Sequence, residues 1–288
     1  MKRTTKIFLY IVFTMVALVF FLYHRFPSEM VFYALSGQIA RLDPKVQLDT
    51  NSIRPTLPPG LKLEPLSVNY AQIPIMRMDF LKVKPELLSL FSRSKRYNYT
   101  ASMGGGKLRG RADTIIENNR EQSKFAITVE KAPLDYIDIF NHWKNYQTNG
   151  ELDANIRFDS LKSGGTADVS IEISPAQIEF EPALMGIESL DFTKLNTQLV
   201  ITQRMLQIKN CEAFGNQLEG KITGSIIFRE PIEESRISMT LTLKPQPAFI
   251  AYHKSDMIGG VLASANAQKR GVVFRISGTL NNPRYVIR

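Results

Sequence analysis

The strongest constraint on the fold is a period-two alternation of apolar and polar residues, which runs through most of the chain after Leu61. Within 236–243, for example, Ile237, Met239 and Leu241 alternate with polar residues. Successive side chains of a β-strand point to opposite faces of the sheet, so this pattern predicts strands with one apolar and one solvated face. It recurs in seven segments, which are 108–116, 124–130, 152–159, 167–174, 218–228, 236–243 and 272–280.

The alternation favours antiparallel over parallel sheet, because the strands of parallel sheets are covered on both faces and form nearly continuous apolar runs. Short turns separate several of the segments, and such turns can join antiparallel strands. Helical patterns are found at 85–93 and at 133–146, where Leu134, Ile137 and Phe140 form an apolar stripe. We therefore expect a mostly β fold, in which an N-terminal transmembrane helix is followed by a curled, largely antiparallel β-sheet domain with one or two short helices.

Four glycines fall on the apolar face of these strands, each two residues after an aliphatic residue. Glycine inside a strand marks a bend, a bulge or a close approach of another backbone, and repetition on one face allows a sheet to curl about that face. The predicted helices are too few to cover the sheet, so we expect part of its apolar face to form a groove that holds an acyl chain. The predicted groove residues are Gly110, Gly220, Ile222, Gly224, Met239, Leu241, Phe274, Ile276 and Gly278. A closed barrel or sandwich core is the alternative.

The segment 7–23 is an uncharged apolar run near the lower length limit for a membrane span. Lys2, Arg3 and Lys6 precede it, and the flank that follows is less basic, so the positive-inside rule places the N-terminus in the cytoplasm. A cleaved signal peptide is the alternative, but no small-x-small cleavage pattern follows the run. The predicted organisation is a cytoplasmic tail (1–6), a transmembrane signal anchor (7–23), a connector (24–60) and a periplasmic β-rich domain (61–288).

The formal net charge of +9 does not indicate a nucleic-acid partner. Four basic residues and no acidic residue lie in 1–25, so much of the excess flanks the apolar run. The rest of the chain lacks the dense Lys/Arg runs with interleaved aromatic residues that bind phosphates and bases. The longest basic cluster, Arg93, Lys95 and Arg96, is interpreted as a solvated strand face.

The sequence contains no arrangement typical of catalysis or of metal binding. Cys211 is the only cysteine, and His24, His142 and His253 are isolated, which excludes a disulfide framework and a cysteine-rich zinc site. The run Gly104-Gly105-Gly106-Lys107 lacks the Ser or Thr that a phosphate-binding loop carries after its lysine, so it is interpreted as a hairpin turn. We predict a protein that is not an enzyme, with no cofactor and no catalytic or metal-binding residues.

Four short motifs in order resemble a known family. They are Leu57-Pro58-Pro59-Gly60-Leu61, the segment from Gly104 to Gly110, the segment from Phe214 to Gly224, and Ile276-Ser277-Gly278-Thr279-Leu280-Asn281-Asn282-Pro283. Together with the predicted anchor, they are similar to protein N of the bacterial type II secretion system. The C-terminal motif also resembles the end of AsmA-like envelope proteins.

The first resemblance implies a single-pass protein of the bacterial inner membrane, with a periplasmic domain that serves as an accessory or assembly component of type II secretion. Its partners would be the inner membrane and other secretion-system components. The AsmA-like resemblance implies the alternative, a lipid-binding or lipid-transfer module whose ligands are phospholipid acyl chains. Neither resemblance carries catalytic residues to this chain.

Overall fold

The computed structural model describes residues 3–117, 120–141, 146–162, 165–184, 187–252 and 271–287. Most of these residues lie in antiparallel strands, which confirms the mostly β fold class. The strands are β1 (Val46–Thr56), β2 (Gly60–Tyr70), β3 (Ile73–Met78), β4 (Phe80–Pro85), β5 (Ser94–Met103), β6 (Gly106–Glu117), β7 (Arg120–Pro133), β8 (Tyr146–Asp159), β9 (Thr166–Leu184), β10 (Ile187–Phe192), β11 (Lys194–Thr202), β12 (Met205–Phe214), β13 (Leu218–Ile227), β14 (Arg236–Pro245), β15 (Val272–Thr279) and β16 (Pro283–Ile287).

All 16 strands belong to one sheet. Their order in space follows the chain, except that β3 pairs only with β2 and β10 pairs only with β9, as short side strands. In the described part of the chain β1 and β16 do not pair with each other, so the sheet has two free edges. The closed-barrel alternative is therefore wrong for this sheet.

Within the described residues three α-helices accompany the sheet: α1 (Arg3–His24), α2 (Ser28–Leu42) and α3 (Pro247–Tyr252). Single turns of 3-10 helix lie at Leu87–Phe91, Leu134–Tyr136, Asp138–Asn141 and Ile232–Glu234. The first of these turns lies within the helix predicted at 85–93. Counting only residues that the structure describes, no helix combines the length and the apolar character needed to cross a membrane.

The regular helix predicted over 133–146 is wrong. Strand β7 continues to Pro133, two separate 3-10 turns follow, and β8 begins at Tyr146. The Arg77 guanidinium binds the Asp138 carboxylate, with Nε 2.8 Å from Oδ1, and also donates to the backbone carbonyl of Asp135 at 2.5 Å. In an α-helix that carbonyl would accept from the N–H four residues later, so this tertiary contact replaces a helical hydrogen bond.

The region 24–60, which we predicted to be a connector, contains α2 and all of β1. On α2 the side chains of Val31, Phe32 and Leu35 pack against the core, whereas Met30 and Tyr33 are exposed. Apolar residues spaced by three and four positions place one stripe of a helix on one side. The helix therefore lies along the first strand and covers part of the apolar face.

The hydrophobic core lies on one face of the sheet, here called the apolar face. Along β14, Ile237 is buried while Arg236 and Ser238 are exposed, as the period-two pattern predicts. The most buried side chains include Leu66, Met103 and Ala132. The core residues with the least exposure are contributed mainly by β2 to β9, and Leu134 from the first 3-10 turn after β7 packs among them.

Candidate apolar groove

The strand registers align one row of residues across the whole sheet, here called the central row, in which every residue except Thr197 is apolar. Each member is the direct cross-strand partner of the next, so the row runs from one free edge to the other. The row consists of Ile53, Leu63, Leu81, Ala101, Leu108, Val129, Ala154, Ile171, Thr197, Cys211, Ile222, Leu241, Phe274 and Ile287. Because neighbouring strands lie about 4.8 Å apart, the row extends about 60 Å along the curved sheet.

A second row, here called the glycine row, lies next to the central row on the same face. It consists of Pro55, Leu61, Val83, Tyr99, Gly110, Ile127, Ile156, Val169, Leu199, Ile208, Gly224, Met239, Ile276 and Tyr285. Burial raises the pKa of the Tyr99 hydroxyl in this row. The two rows together form an apolar surface that is continuous from β1 to β16.

Eight of the nine predicted groove residues form one contiguous patch on β13, β14 and β15. Ile222, Leu241 and Phe274 are consecutive members of the central row. The others are direct or diagonal neighbours on the same strands: Gly224, Met239 and Ile276 in the glycine row, Gly220 opposite Leu243, and Gly278 opposite Ile237. The ninth, Gly110, lies in the glycine row on β6, six strands from β13.

The apolar face differs in burial between its two halves. Central-row residues such as Leu108, Val129 and Ala154 are buried. All nine predicted groove residues are only partly buried, Met239 and Phe274 among them. One end of the β13–β15 patch is covered, because α3 buries Phe249 in the core beside Val272 and Leu218. Ile237, two positions before Met239 on the same face of β14, is also buried, and the eight residues of the patch are partly buried.

The four glycines on this face have two different structural roles. A Cβ at Gly224, where φ is +146°, would lie 2.3 Å from the Ser238 carbonyl oxygen, and one at Gly278 would lie 2.5 Å from the Asn282 oxygen. Both positions therefore require glycine for the backbone path. At Gly220 the nearest atom to a Cβ is 3.6 Å away, and at Gly110 it is 3.2 Å away. Gly220 therefore leaves space that a small side chain could occupy, whereas a side chain at Gly110 would require its neighbours to move slightly.

The sheet curls strongly, as shown by a contact between distant strands. Lys45, at the start of β1, places its Nζ 3.1 Å from Oε1 of Glu230, which follows β13. Ten strand spacings separate β1 from β13 in the sheet order, which would be about 48 Å in a flat sheet. A cavity of about 560 Å³ lies at this junction, lined by Lys45, Tyr70, Gln203, Phe228, Arg229, Glu230 and Ile232.

The opposite face is polar and carries ion pairs between neighbouring strands. Lys124 pairs with Asp159 at 3.2 Å, and Lys221 pairs with Glu212 at 2.9 Å. The hydrogen bond from Lys221 lowers the pKa of the Glu212 carboxyl, and the backbone N–H of Leu161 does the same for Asp159. Such exposed pairs fix the orientation of the polar face but stabilise the fold weakly.

The described residues contain no group of His, Cys, Asp and Glu side chains that could hold a metal ion. Cys211 faces the groove side in the central row, and burial raises the pKa of its thiol, so it is a poor nucleophile at neutral pH. Gly104 and Gly105 form the β5–β6 turn, where Tyr136 lies against Gly104, and Gly106 begins β6. His142 and His253 lie outside the described residues.

Two parts of the apolar surface lie outside the seven predicted segments. Strands β1 to β5 contribute Leu63, Leu81 and Ala101 to the central row, and β11, β12 and β16 contribute Leu199, Ile208 and Tyr285 to the glycine row. The alternation in 61–70 is interrupted by Pro65, which obscures the pattern, although Leu61 and Leu63 do alternate with Lys62.

Comparisons with known proteins give no relative: no family model, no curated protein and no solved structure is significantly similar to this chain.

Proposed function

We propose that the protein is a non-catalytic, membrane-anchored module that binds acyl chains on the β13–β15 part of its apolar face. The observation that carries this proposal is the continuity of the central and glycine rows, which reach from buried residues on β6 to partly buried residues on β15. An acyl chain laid along these rows would gain about 0.8 kcal/mol for each methylene group removed from water. No polar ligand chemistry is needed for such binding.

The partial burial of the β13–β15 patch favours a surface that binds a ligand over a fully packed core. Large apolar side chains of soluble proteins rarely form continuous exposed patches unless the patch binds something. On β13–β15 the partly buried residues adjoin one another across three strands, and among the described residues α3 closes the end near Phe249. A flexible hydrocarbon chain fits a long shallow surface of this kind, because it needs contact along its length and few hydrogen bonds.

The proposed membrane anchor is the segment 7–23, which lies in α1. This helix has 22 residues, and at about 1.5 Å per residue it is about 33 Å long. Its side chains include Leu9, Phe13 and Phe21, all more than 60% exposed. Uncharged residues from 7 to 23 would place those side chains in lipid, and Lys2, Arg3 and Lys6 would remain on the cytoplasmic side.

Reporter fusions test this topology. A reporter that is active only in the periplasm, fused after Arg288, should be active, and a cytoplasmic reporter at the same position should be silent. The reverse result would contradict the proposed orientation. Cleavage after the apolar run, detected as a shortened mature chain by intact-mass measurement, would replace the anchor by a signal peptide.

Lipid binding is tested by native mass spectrometry of the full chain purified from membranes in mild detergent. The wild-type chain should retain phospholipid. Gly220→Leu should reduce the retained fraction, because the new side chain enters the apolar face at a position with space for it. Thr240→Leu adds the same side chain to the exposed polar face of β14 and should leave lipid retention unchanged. Equal retention by all three chains would contradict the groove.

The second candidate function is an accessory role in assembly of the type II secretion system. It rests on the sequence motifs, and two of these form hairpin turns at one end of the strands, at Gly104–Gly105 and at Gly215–Gln217. Turns grouped in this way, and the free edges of β1 and β16, could contact other components. Complementation of a deletion strain separates the two functions: Gly220→Leu should restore secretion if only the assembly role matters.

A further inference from the structure

The loop between β4 and β5 exposes large apolar side chains that have no role in the core. Leu88 is 84% exposed and Phe91 is 93% exposed, both in the 3-10 turn Leu87–Phe91. Leu57, in the β1–β2 turn, is 71% exposed. Single exposed apolar residues are common, but several together on adjacent loops mark an interaction surface. We call Leu57 and the segment 84–96 the rim.

The conformation of this turn is fixed by hydrogen bonds of a buried serine. Ser89 is 5% exposed, its Oγ donates to the Glu86 carbonyl at 2.6 Å, and it accepts from the Arg96 backbone N–H at 3.0 Å. The Oγ of Ser92 also donates to the Ser89 carbonyl at 3.0 Å. These bonds fix the turn while its apolar side chains point away from the domain. The rim is therefore presented in an ordered conformation, which lowers the entropic cost of binding.

The rim is also basic. The segment 84–96 contains four basic residues and one acidic residue. Glu86 is the acidic one, and it lies 3.7 Å from Arg96, which also contacts Asp113. Lys84, Arg93 and Lys95 make no ion pair with any residue that the structure describes. Exposed apolar side chains can enter the headgroup region of a bilayer, and cations without an ion-pair partner among the described residues can bind anionic lipid phosphates.

The rim lies beside the end of α1. The Tyr23 hydroxyl, one residue before the end of that helix, donates to the Thr56 carbonyl at the end of β1. Across the turn Gly60 pairs with Thr56, and a Cβ there would lie 3.0 Å from Cγ of Lys84. The rim begins at that lysine. A bilayer that contained α1 would therefore have its surface close to the rim.

We propose that the rim docks on the anionic phospholipid surface around the anchor, with Leu88 and Phe91 in the headgroup region and Arg93 and Lys95 at the lipid phosphates. The proposal rests on the proposed membrane anchor. Docking would fix the angle between the sheet and the bilayer and would hold the β1–β5 end of the apolar face at the membrane. An acyl chain leaving the bilayer would meet that end of the central row first.

Site-specific fluorescence quenching tests the docking. The full chain carrying Cys211→Ser is given one new cysteine at Val12, Leu88 or Asn216 and is labelled with an environment-sensitive dye. Val12 lies in α1, and Asn216 is exposed in the β12–β13 turn, at the other end of the strands from the rim. The labelled chains are placed in vesicles of phosphatidylcholine and phosphatidylglycerol that contain spin-labelled quencher lipids. Docking predicts quenching at Val12 and Leu88 but not at Asn216.

Charge reversal tests the basic contacts. Each basic side chain at an anionic surface is worth roughly fivefold in binding, so Arg93→Glu with Lys95→Glu should lower the docked-to-undocked ratio at least fivefold. The matched control is Lys209→Glu with Arg275→Glu, which reverses two exposed charges on the polar face and should leave the signal at Leu88 unchanged. In the chain without charge reversal, quenching at Leu88 should be weaker in vesicles of phosphatidylcholine alone than in vesicles that contain phosphatidylglycerol.

The outcomes separate the docking from the anchor. Quenching at Val12 without quenching at Leu88 overturns the docking and leaves the anchor in place, which would assign the rim to a protein partner instead. Quenching at Leu88 without quenching at Val12 supports docking and overturns the anchor. Quenching at neither position overturns both proposals.

Discussion

Lys45 Nζ and Glu230 Oε1 lie 3.1 Å apart although 185 positions separate them in the chain. The contact joins the residue before the first strand to the loop after β13, and it forms because the sheet curls enough to bring these two segments together. Glu230 raises the pKa of Lys45, mainly through their hydrogen bond. Both side chains are largely exposed, so the pair reports the curl of the sheet more than it stabilises it.

A zero-length carbodiimide cross-link tests the curl. The reagent activates a carboxylate, which then forms an amide with an amine in direct contact. Digestion and mass spectrometry should identify a peptide pair joined through Lys45 and Glu230. Lys221 and Glu212 on neighbouring strands, 2.9 Å apart, provide the positive control. Cross-linking of the control pair alone would show that the first strand lies away from the loop after β13.

Substitutions on β14 test which face carries the groove. Met239 is half-buried opposite Gly224 and Ile276, while Thr240 is exposed. Met239→Asp should lower the free energy of unfolding by about 1–3 kcal/mol, because a carboxylate there loses water without gaining a partner. Thr240→Asp should change it by no more than about 0.5 kcal/mol. Chemical denaturation of the two variants measures both values, and equal losses would contradict the assignment of the faces.

The sequence was sufficient to predict β6 to β9 and β13 to β15, because period two is a local property of each strand and is visible without knowledge of its partners. It was insufficient for 133–146, where the spacing of Leu134 and Ile137 is that of a helix. There the bond from Arg77 to the Asp135 carbonyl decides the backbone, and that bond joins residues 58 positions apart. Tertiary contacts of this kind override local propensity.

The groove residues show the same division between local and long-range information. Their common face follows from the alternation, but their adjacency follows from strand registers such as Ile222 opposite Leu241. The four glycines have equivalent local sequence contexts, yet only the neighbouring strands distinguish Gly220, which has space, from Gly224, which has none. Within the rim, the sequence indicated a short helix at 85–93 and a solvated strand face at the basic cluster. The exposure of Leu88 and Phe91 was not predicted, because it depends on a turn fixed by Ser89.

The two kinds of glycine should respond differently to alanine. Gly224→Ala places a Cβ 2.3 Å from the Ser238 oxygen at φ +146°, so we expect a loss of about 1–3 kcal/mol in the free energy of unfolding. Gly220→Ala makes only ordinary contacts, the nearest at 3.6 Å, and should cost no more than about 0.5 kcal/mol. Denaturation curves compare the two variants. A larger loss for Gly220→Ala would contradict the register of β13 against β14.

The Glu212–Lys221 pair should contribute stability that depends on pH. The pKa of Glu212 is lowered in the fold, so its contribution is present above the pKa of the unfolded chain and is lost as pH falls through the folded pKa. Glu212→Gln should therefore lower the melting temperature at neutral pH. The difference from wild type should shrink as pH falls below the ordinary glutamate value of 4.5 and disappear below the lowered pKa of the fold. Glu181→Gln, at an exposed position, is the control. A difference that grows in acid would contradict the sign.

Cys211 provides a test of the apolar face in the unmodified chain. Its thiol lies between Thr197 and Ile222 in the central row, and the Thr197 hydroxyl donates to Sγ at 3.2 Å. Burial raises the thiol pKa and the Thr197 bond lowers it, with burial the larger effect. When the pKa of a thiol rises by one, the fraction present as thiolate falls about tenfold at neutral pH. A water-soluble thiol reagent should therefore react far more slowly with Cys211 than with a cysteine placed at Asn216.

Two changes make this measurement specific. Thr197→Val removes the hydroxyl that lowers the thiol pKa, so it should slow the reaction further. Exhaustive removal of lipid with detergent should accelerate the reaction in the wild-type chain if an acyl chain covers the row at Ile222. The cysteine at Asn216 should react at the same rate with and without lipid, because it lies in a turn outside the row. Rapid reaction of Cys211 in the lipid-containing chain would show that this part of the central row is open to water.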